Sequence, residues 1–357
     1  MRKKIKVFLG GYVNSLNAQN INCRALSEHL DKTIFDVATI LSYSPDVQDF
    51  IYLSDVKYIK ATRPLRFFTW VAYLKGIFWA DVAYLPKGEC HRFCLNWAKL
   101  CGTKFFSTLE GLISDTDLSK LPIKRRESYV SAFRDFEPNL YAITRFLVKD
   151  VGTRRGYRFA EEILYLGVES ERFLNPNKNV DGLKNIVFIG NKLPTKNISD
   201  FIEASQLYPD IHFHIIGDHL LNEGTIQDYI NEHNLHNVTF HGRLDHKHMS
   251  KVLETMDLMY FPSRSEGFPK VHLETACAGV PTLCYGDYGA KEWITTGKDG
   301  FVVNTKEEAL GVIADLKAHP ERLAELSRNA VEMGKSFDWS NLVKKWENVI
   351  TKIFKEK

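Results

Sequence analysis

The most constraining stretch of this chain runs from Leu258 to Pro281. Leu258-Met-Tyr-Phe261 is a short, unbroken apolar run that stops at Pro262, the pattern of a strand buried in a parallel sheet. A polar turn with Ser263, Arg264 and Glu266 follows. Pro269 then stands where a helix tolerates proline, in its first turn, and Gly279 with Pro281 supplies the stop. Strand, turn and helix in that order make one βα unit of a parallel sheet, which commits the chain to an α/β fold.

The same stretch has a ligand chemistry. A helix N-terminus offers free backbone N–H groups and a partial positive charge, so it suits a phosphate. Proline has no N–H, and the expected donors are therefore the amides of Lys270, Val271 and His272. Glu274 lies one turn past Lys270 on the same face, where its two oxygens can accept from a vicinal diol such as a ribose. Glu266, on the loop, is placed for the hydroxyls of whatever the phosphate carries. Diphosphate, ribose and sugar hydroxyls together describe a nucleotide sugar.

Residues 262–281 resemble the E-x7-E region of family 4 retaining glycosyltransferases, the group 1 enzymes of GT-B fold, with Pro269 where the family has Gly and Thr275 where it has Ala. The resemblance continues through the second half of the chain. Gly167-Val-Glu-Ser-Glu-Arg-Phe173 is similar to the family's interdomain linker. Lys196 falls on the lysine of the motif that clamps the donor diphosphate, while Asn191, after Gly190, takes the place of its arginine. Residues 1–164 share only the architecture.

The resemblance implies two doubly wound Rossmann-like domains facing each other across a cleft. Residues 1–165 would bind the acceptor, residues 166–336 the nucleotide sugar, and a helix in 337–357 would pack back on the first domain. It implies a metal-independent, retaining hexosyltransferase with Glu266 and Lys196 as catalytic residues. Donor contacts would come from Gly10, Gly11, Gly190, Asn191, Lys196, Gly217, His241, Gly242, Gly267, Phe268, Pro269, Lys270, Val271 and Glu274. The co-substrate would be UDP- or GDP-linked, with no other cofactor. Alternatives are another GT-B enzyme such as a sugar-nucleotide epimerase, or a non-catalytic nucleotide-sugar-binding scaffold. A glycogen-type phosphorylase would need a pyridoxal lysine motif that the sequence does not show.

The first half begins with Ile5-Lys-Val-Phe-Leu9, a strand running into Gly10-Gly11 and a polar loop to Gln19. The glycine pair is not G-x-G-x-x-G, which argues against a nicotinamide site. Between Lys57 and Trp79, Lys57, Lys60, Arg63, Arg66 and Lys75 interleave with Phe67, Phe68, Trp70, Tyr73, Phe78 and Trp79. Such a mixture suits either an anionic membrane surface or a core helix with snorkelling cations. Glu110 stands where many family members carry a histidine that meets the donor sugar. Asp115-Thr-Asp117 has the spacing of a metal-binding D-x-D, but Gly111 and Ser114 before it favour a turn or helix cap.

At 357 residues, 44% hydrophobic and 25% charged, the chain has the size of two soluble domains. Residues 1–166 carry a net +8 and residues 167–357 a net −5, so the basic half points to an anionic partner. No helix-turn-helix, RNP or zinc motif supports nucleic acid. Six cysteines without disulfide-framework spacing fit a reducing cytosol; Cys90-His91-x-x-Cys94 lacks a second ligand pair. No leader or 18-residue apolar span is evident, which fits a cytoplasmic enzyme, possible at the inner membrane face. The expected setting is bacterial surface polysaccharide synthesis on a glycan or lipid-linked acceptor.

Overall fold

The structure, a computed structural model, describes residues 3–15, 17–43, 50–63, 65–86, 91–113, 118–119, 122–191, 193–221 and 224–356. Cys90, Asp115, Asp117 and Lys192 lie outside the described residues. The chain divides into two compact units, residues 1–167 with 339–357, and residues 168–338.

The first unit is built on strands β1 (Ile5–Tyr12), β2 (Phe35–Ser42), β3 (Val56–Ala61), β4 (Val82–Tyr84), β5 (Lys104–Leu109) and β6 (Leu140–Ala142). They form one parallel sheet in the order β3-β2-β1-β4-β5-β6. The order reverses between β1 and β4, which opens a crevice at the carboxyl ends of those strands.

Strand β1 does not end at Leu9, as the glycine pair suggested. It continues to Tyr12 through a bulge, with Leu9 opposite Thr39 and Tyr12 opposite Ile40. Both glycines have a packing reason. A side chain at Gly10 would meet the Tyr73 ring and the Tyr84 carbonyl at 3.0 Å, and one at Gly11 would meet Cys23 Sγ at 2.7 Å. Tyr73 donates its hydroxyl to the Gly10 carbonyl at 2.7 Å, and Thr39 Oγ1 lies 3.1 Å from the Gly11 carbonyl.

Lys57 and Lys60 stand on β3 rather than on a helix with the aromatic residues. The helix Leu65–Trp79 buries Ala72, Tyr73 and Ile77 against the sheet. The helix Trp339–Lys355 completes this unit, burying Trp339, Val343, Trp346, Ile350 and Ile353. Trp346 sets its ring 5.4 Å from that of Tyr84 and donates Nε1–H to the Tyr165 carbonyl at 3.3 Å.

The second unit carries β7 (Asn185–Gly190), β8 (His212–Gly217), β9 (Val238–Gly242), β10 (Leu258–Phe261), β11 (Thr282–Tyr285) and β12 (Gly300–Val303). They too are all parallel, in the order β12-β11-β10-β7-β8-β9, so this sheet switches between β7 and β10. At the carboxyl edge β7 and β8 come close. Gly217 has φ +145°, and a Cβ there would fall 1.8 Å from the Gly190 carbonyl oxygen. No other residue fits both the conformation and the space. Among the described residues, no helix is long and apolar enough to cross a membrane.

Candidate active site

The loops leaving β7 and β10 flank the switch point of the second unit. After β7 the chain makes a 3-10 turn, Leu193–Lys196, and enters the helix Ile198–Leu207 through Asn197, which is left-handed at φ 55°. Asn197 donates Nδ2–H to Asp200 Oδ2 at 2.7 Å, and the Tyr285 hydroxyl donates to the same oxygen at 2.5 Å. Tyr285 comes from β11, so the turn holding Lys196 is anchored to the sheet beneath it. These anchors were not singled out from sequence, where an asparagine after a lysine carries no mark of its backbone conformation.

After β10, Ser263 and Glu266 lie three residues apart in the turn, and the Ser263 hydroxyl donates to Glu266 Oε1 at 2.5 Å. The Lys196 ammonium pairs with the same carboxylate oxygen. It also sits 5.8 Å from the centre of the Phe261 ring, so its charge faces an aromatic surface as well. Arg264 points elsewhere, stacked 3.9 Å over Tyr285 and paired to Asp287 at 2.8 Å. Asn191 is exposed.

The helix Val271–Cys277 starts at its N-cap, Lys270, and ends at Gly279, whose φ of 71° is the expected stop. Its N-terminus corrects the expected donor set. The His272 amide is already used, donating to the Pro269 carbonyl at 3.1 Å, which leaves the loop side of the helix to Lys270 and Val271. The His272 ring is buried beneath, accepting from Trp293 Nε1 at 3.2 Å and facing the Tyr288 hydroxyl at 3.4 Å. Burial, helped by the charge of Lys196, pushes its pKa down to about 3, so it is a neutral floor to the site.

Phe268 is likewise a core residue: its ring packs 4.7 Å from Trp293 and 6.0 Å from Phe337. Only the backbone of Gly267, Phe268 and Pro269 is left to border a ligand.

Glu274 is the unsatisfied group. Its side chain is 12% exposed, yet among the described residues it accepts no hydrogen bond, and His246 Nε2 is 4.0 Å away. Burial pushes its pKa up to about 7, opposed by the charge of Lys270 on the same helix. A nearly buried carboxyl with spare lone pairs suits a ligand that brings its own hydroxyl donors.

Gly190, Gly217 and Gly242 end β7, β8 and β9, and the last, at φ 71°, has open space where a side chain would be. His241, expected beside them, turns its ring toward the strand neighbours: its Nε2 is 3.0 Å from His214 Nδ1, and the rings stack at 5.2 Å. Gly10 and Gly11 belong to the first unit, with the packing roles given above.

Residues 169–333, nearly the whole second unit, match the sequence model of the family described as glycosyl transferases group 1. The chain carries a group 1 glycosyltransferase domain. A glycosyltransferase of Methanocaldococcus jannaschii is 27% identical to it over 183 residues, which is 51% of this chain and 50% of that protein. The match thus spans about half the length of that relative. Among solved structures, the sucrose-phosphate synthase of Thermosynechococcus elongatus superposes with a TM-score of 0.74 at 15% identity, covering 99% of both chains. HepE of Anabaena in complex with UDP-glucose gives 0.74 at 14% identity, over 98% of this chain and all of that one. At such identity the likeness is one of fold, and the fold of this chain is GT-B, each unit a parallel six-stranded sheet with flanking helices.

Proposed function

We propose that this chain transfers a sugar from a nucleotide sugar to a glycan or lipid-linked acceptor, with retention of anomeric configuration and without a metal ion. The observation that carries the reading is the convergence of Lys196, Ser263 and Glu266 at the switch point of the second sheet, with Glu274 unsatisfied on the adjoining helix. Open parallel sheets bind ligands at that point. The structural neighbour HepE was solved with UDP and with UDP-glucose, which favours a UDP-linked donor among the candidates.

On this reading the donor diphosphate lies against Lys196 and the Val271 amide, and the ribose hydroxyls donate to Glu274. The bond from the anomeric carbon to the phosphate oxygen breaks as a bond to the acceptor oxygen forms on the same face. The acceptor's proton passes to the departing diphosphate, so no protein nucleophile is required. Lys196 stabilises the charge gathering on the leaving group, and Glu266 faces the positive charge developing on the sugar ring. Because Asn191 stands where a second cation is expected, Lys196 is the main point charge of this clamp.

A thermal-shift panel of nucleoside diphosphates and their sugars in EDTA tests the reading. Binding at about a hundred times Kd corresponds to roughly 2.7 kcal/mol and a shift of several degrees. A shift with one nucleotide, followed by acceptor-dependent release of that nucleoside diphosphate, is the expected result. No shift with or without Mn²⁺ would overturn it, and a shift without any turnover would leave a binding protein.

A further inference from the structure

The first unit carries an apolar surface built from none of the residues assigned to the donor site. The helix Leu65–Trp79 has one face in the core, but its opposite face is a second apolar stripe, Phe67, Val71, Leu74 and Phe78, at helical spacing. Phe67 and Phe78 are 61% and 71% exposed. The helix His91–Cys101 lies beside it: Trp97 donates Nε1–H to the Leu74 carbonyl at 3.0 Å, and the Phe93 ring meets Trp70 edge-on at 5.3 Å. This second helix adds Phe93 and Leu100, 54% and 77% exposed. Four large apolar side chains in water on two adjacent helices are far more than scattered surface residues.

The charges carried by these two helices have one sign. Neither helix contains an Asp or Glu, whereas Lys75, Arg92 and Lys99 project from the same outer faces. Of these, Arg92 also meets Asp135 at 3.6 Å on the neighbouring element. On β3, Lys57 lies 4.8 Å over the Trp79 ring at the end of the first helix.

We infer that helices 65–79 and 91–101 together form a docking face for an anionic lipid bilayer. Phe67, Phe78, Phe93 and Leu100 enter the headgroup boundary while Lys75, Arg92 and Lys99 remain at phosphate level. A protein partner or a second copy would match the apolar stripe equally well, but two helices that carry bases and no acids select a surface of diffuse negative charge. Trp70, held half-buried by Phe93, braces the two helices rather than inserting. This surface stands independently of the sugar-transfer reading, because vesicle binding needs neither donor nor acceptor.

The test is co-flotation of the full chain with phosphatidylcholine vesicles, with and without phosphatidylglycerol, at low and high salt. We expect binding only when phosphatidylglycerol is present, weakening as salt rises. Lys75→Glu with Lys99→Glu should reduce it by at least about fivefold per lysine, from roughly 1 kcal/mol for each basic residue at such a surface. Phe67→Ser with Phe78→Ser should abolish it while the thermal unfolding midpoint stays unchanged, since both side chains are exposed. Binding untouched by either pair would overturn the assignment. So would an absence of binding to the phosphatidylglycerol vesicles, and a dimer that the Phe67→Ser, Phe78→Ser chain no longer forms would then assign the face to a second copy.

Discussion

Lys196 and Glu266, 70 residues apart in sequence, meet as an ion pair above the point where the second sheet reverses its strand order. Each is the other's counter-charge until a ligand arrives. A diphosphate entering beside Lys196 must share that ammonium with Glu266, so the two side chains will not behave independently under mutation.

Glu266→Ala and Lys196→Ala should each lower kcat by roughly 10²–10³-fold, the usual effect of removing one preorganised charge from a developing transition state. The double variant should lose little more than the worse single one, because the pair acts as a unit. Steady-state release of nucleoside diphosphate measures all three. Strictly multiplicative losses would show that the contact has no part in turnover.

On the proposed reading, Glu274 should make donor affinity depend on pH. Its pKa is raised to about 7 by burial, so the folded protein holds this proton longer than the unfolded chain does. The stability it contributes is present below the ordinary carboxylate pKa and is lost as pH rises through about 7. Donor hydroxyls favour the ionised form, so the affinity for UDP should strengthen between about pH 6 and 8. Glu274→Gln should remove that dependence relative to the unaltered chain, and Glu274→Ala should raise the donor KM by about tenfold with kcat little changed. Calorimetric titrations across the pH range decide it.

Two histidines of the second unit, His214 and His272, act in the other direction. Burial lowers the pKa of His272 to about 3 and that of His214 to about 4, the latter also facing His212 and His241. The unfolded chain therefore takes up protons that the folded unit refuses, and stability should fall as pH drops from about 6.5 toward 4. Denaturant unfolding followed against pH should show this slope, and it should be shallower in His214→Asn.

Trp346→Ala should destabilise the first unit by about 3–5 kcal/mol, the cost of removing a buried aromatic. The ring is wholly buried near Tyr84 and Phe106, 5.4 Å and 6.4 Å away. Urea unfolding read by tryptophan fluorescence would report the loss. The UDP binding proposed for the second unit should survive it.

Much of the second unit was legible because its signals are local. Pro262, Pro269 and Gly279 punctuate strand, loop and helix within about twenty residues, and each constrains the backbone by its own chemistry. The Lys196–Glu266 contact was not legible as a contact, since it exists only once β10 is placed beside β7. Glycine was ambiguous for a physical reason. The missing side chain at Gly10 and Gly11 makes room equally for a ligand or for Tyr73 and Cys23, and the latter are what the structure places there. Phe268 and His272 sit within the motif, yet their rings are spent on Trp293 behind it. Sequence spacing locates a residue on a helix face, but tertiary packing decides which side of that face is wet.

The helix Trp339–Lys355 belongs to the first unit although the whole second unit intervenes in the chain. During synthesis the surfaces of Tyr84 and Phe106 that Trp346 covers therefore stay open until this helix has left the ribosome. The second unit is continuous in sequence and can close before that helix emerges. The first unit thus cannot be completed until the whole of the second has been made.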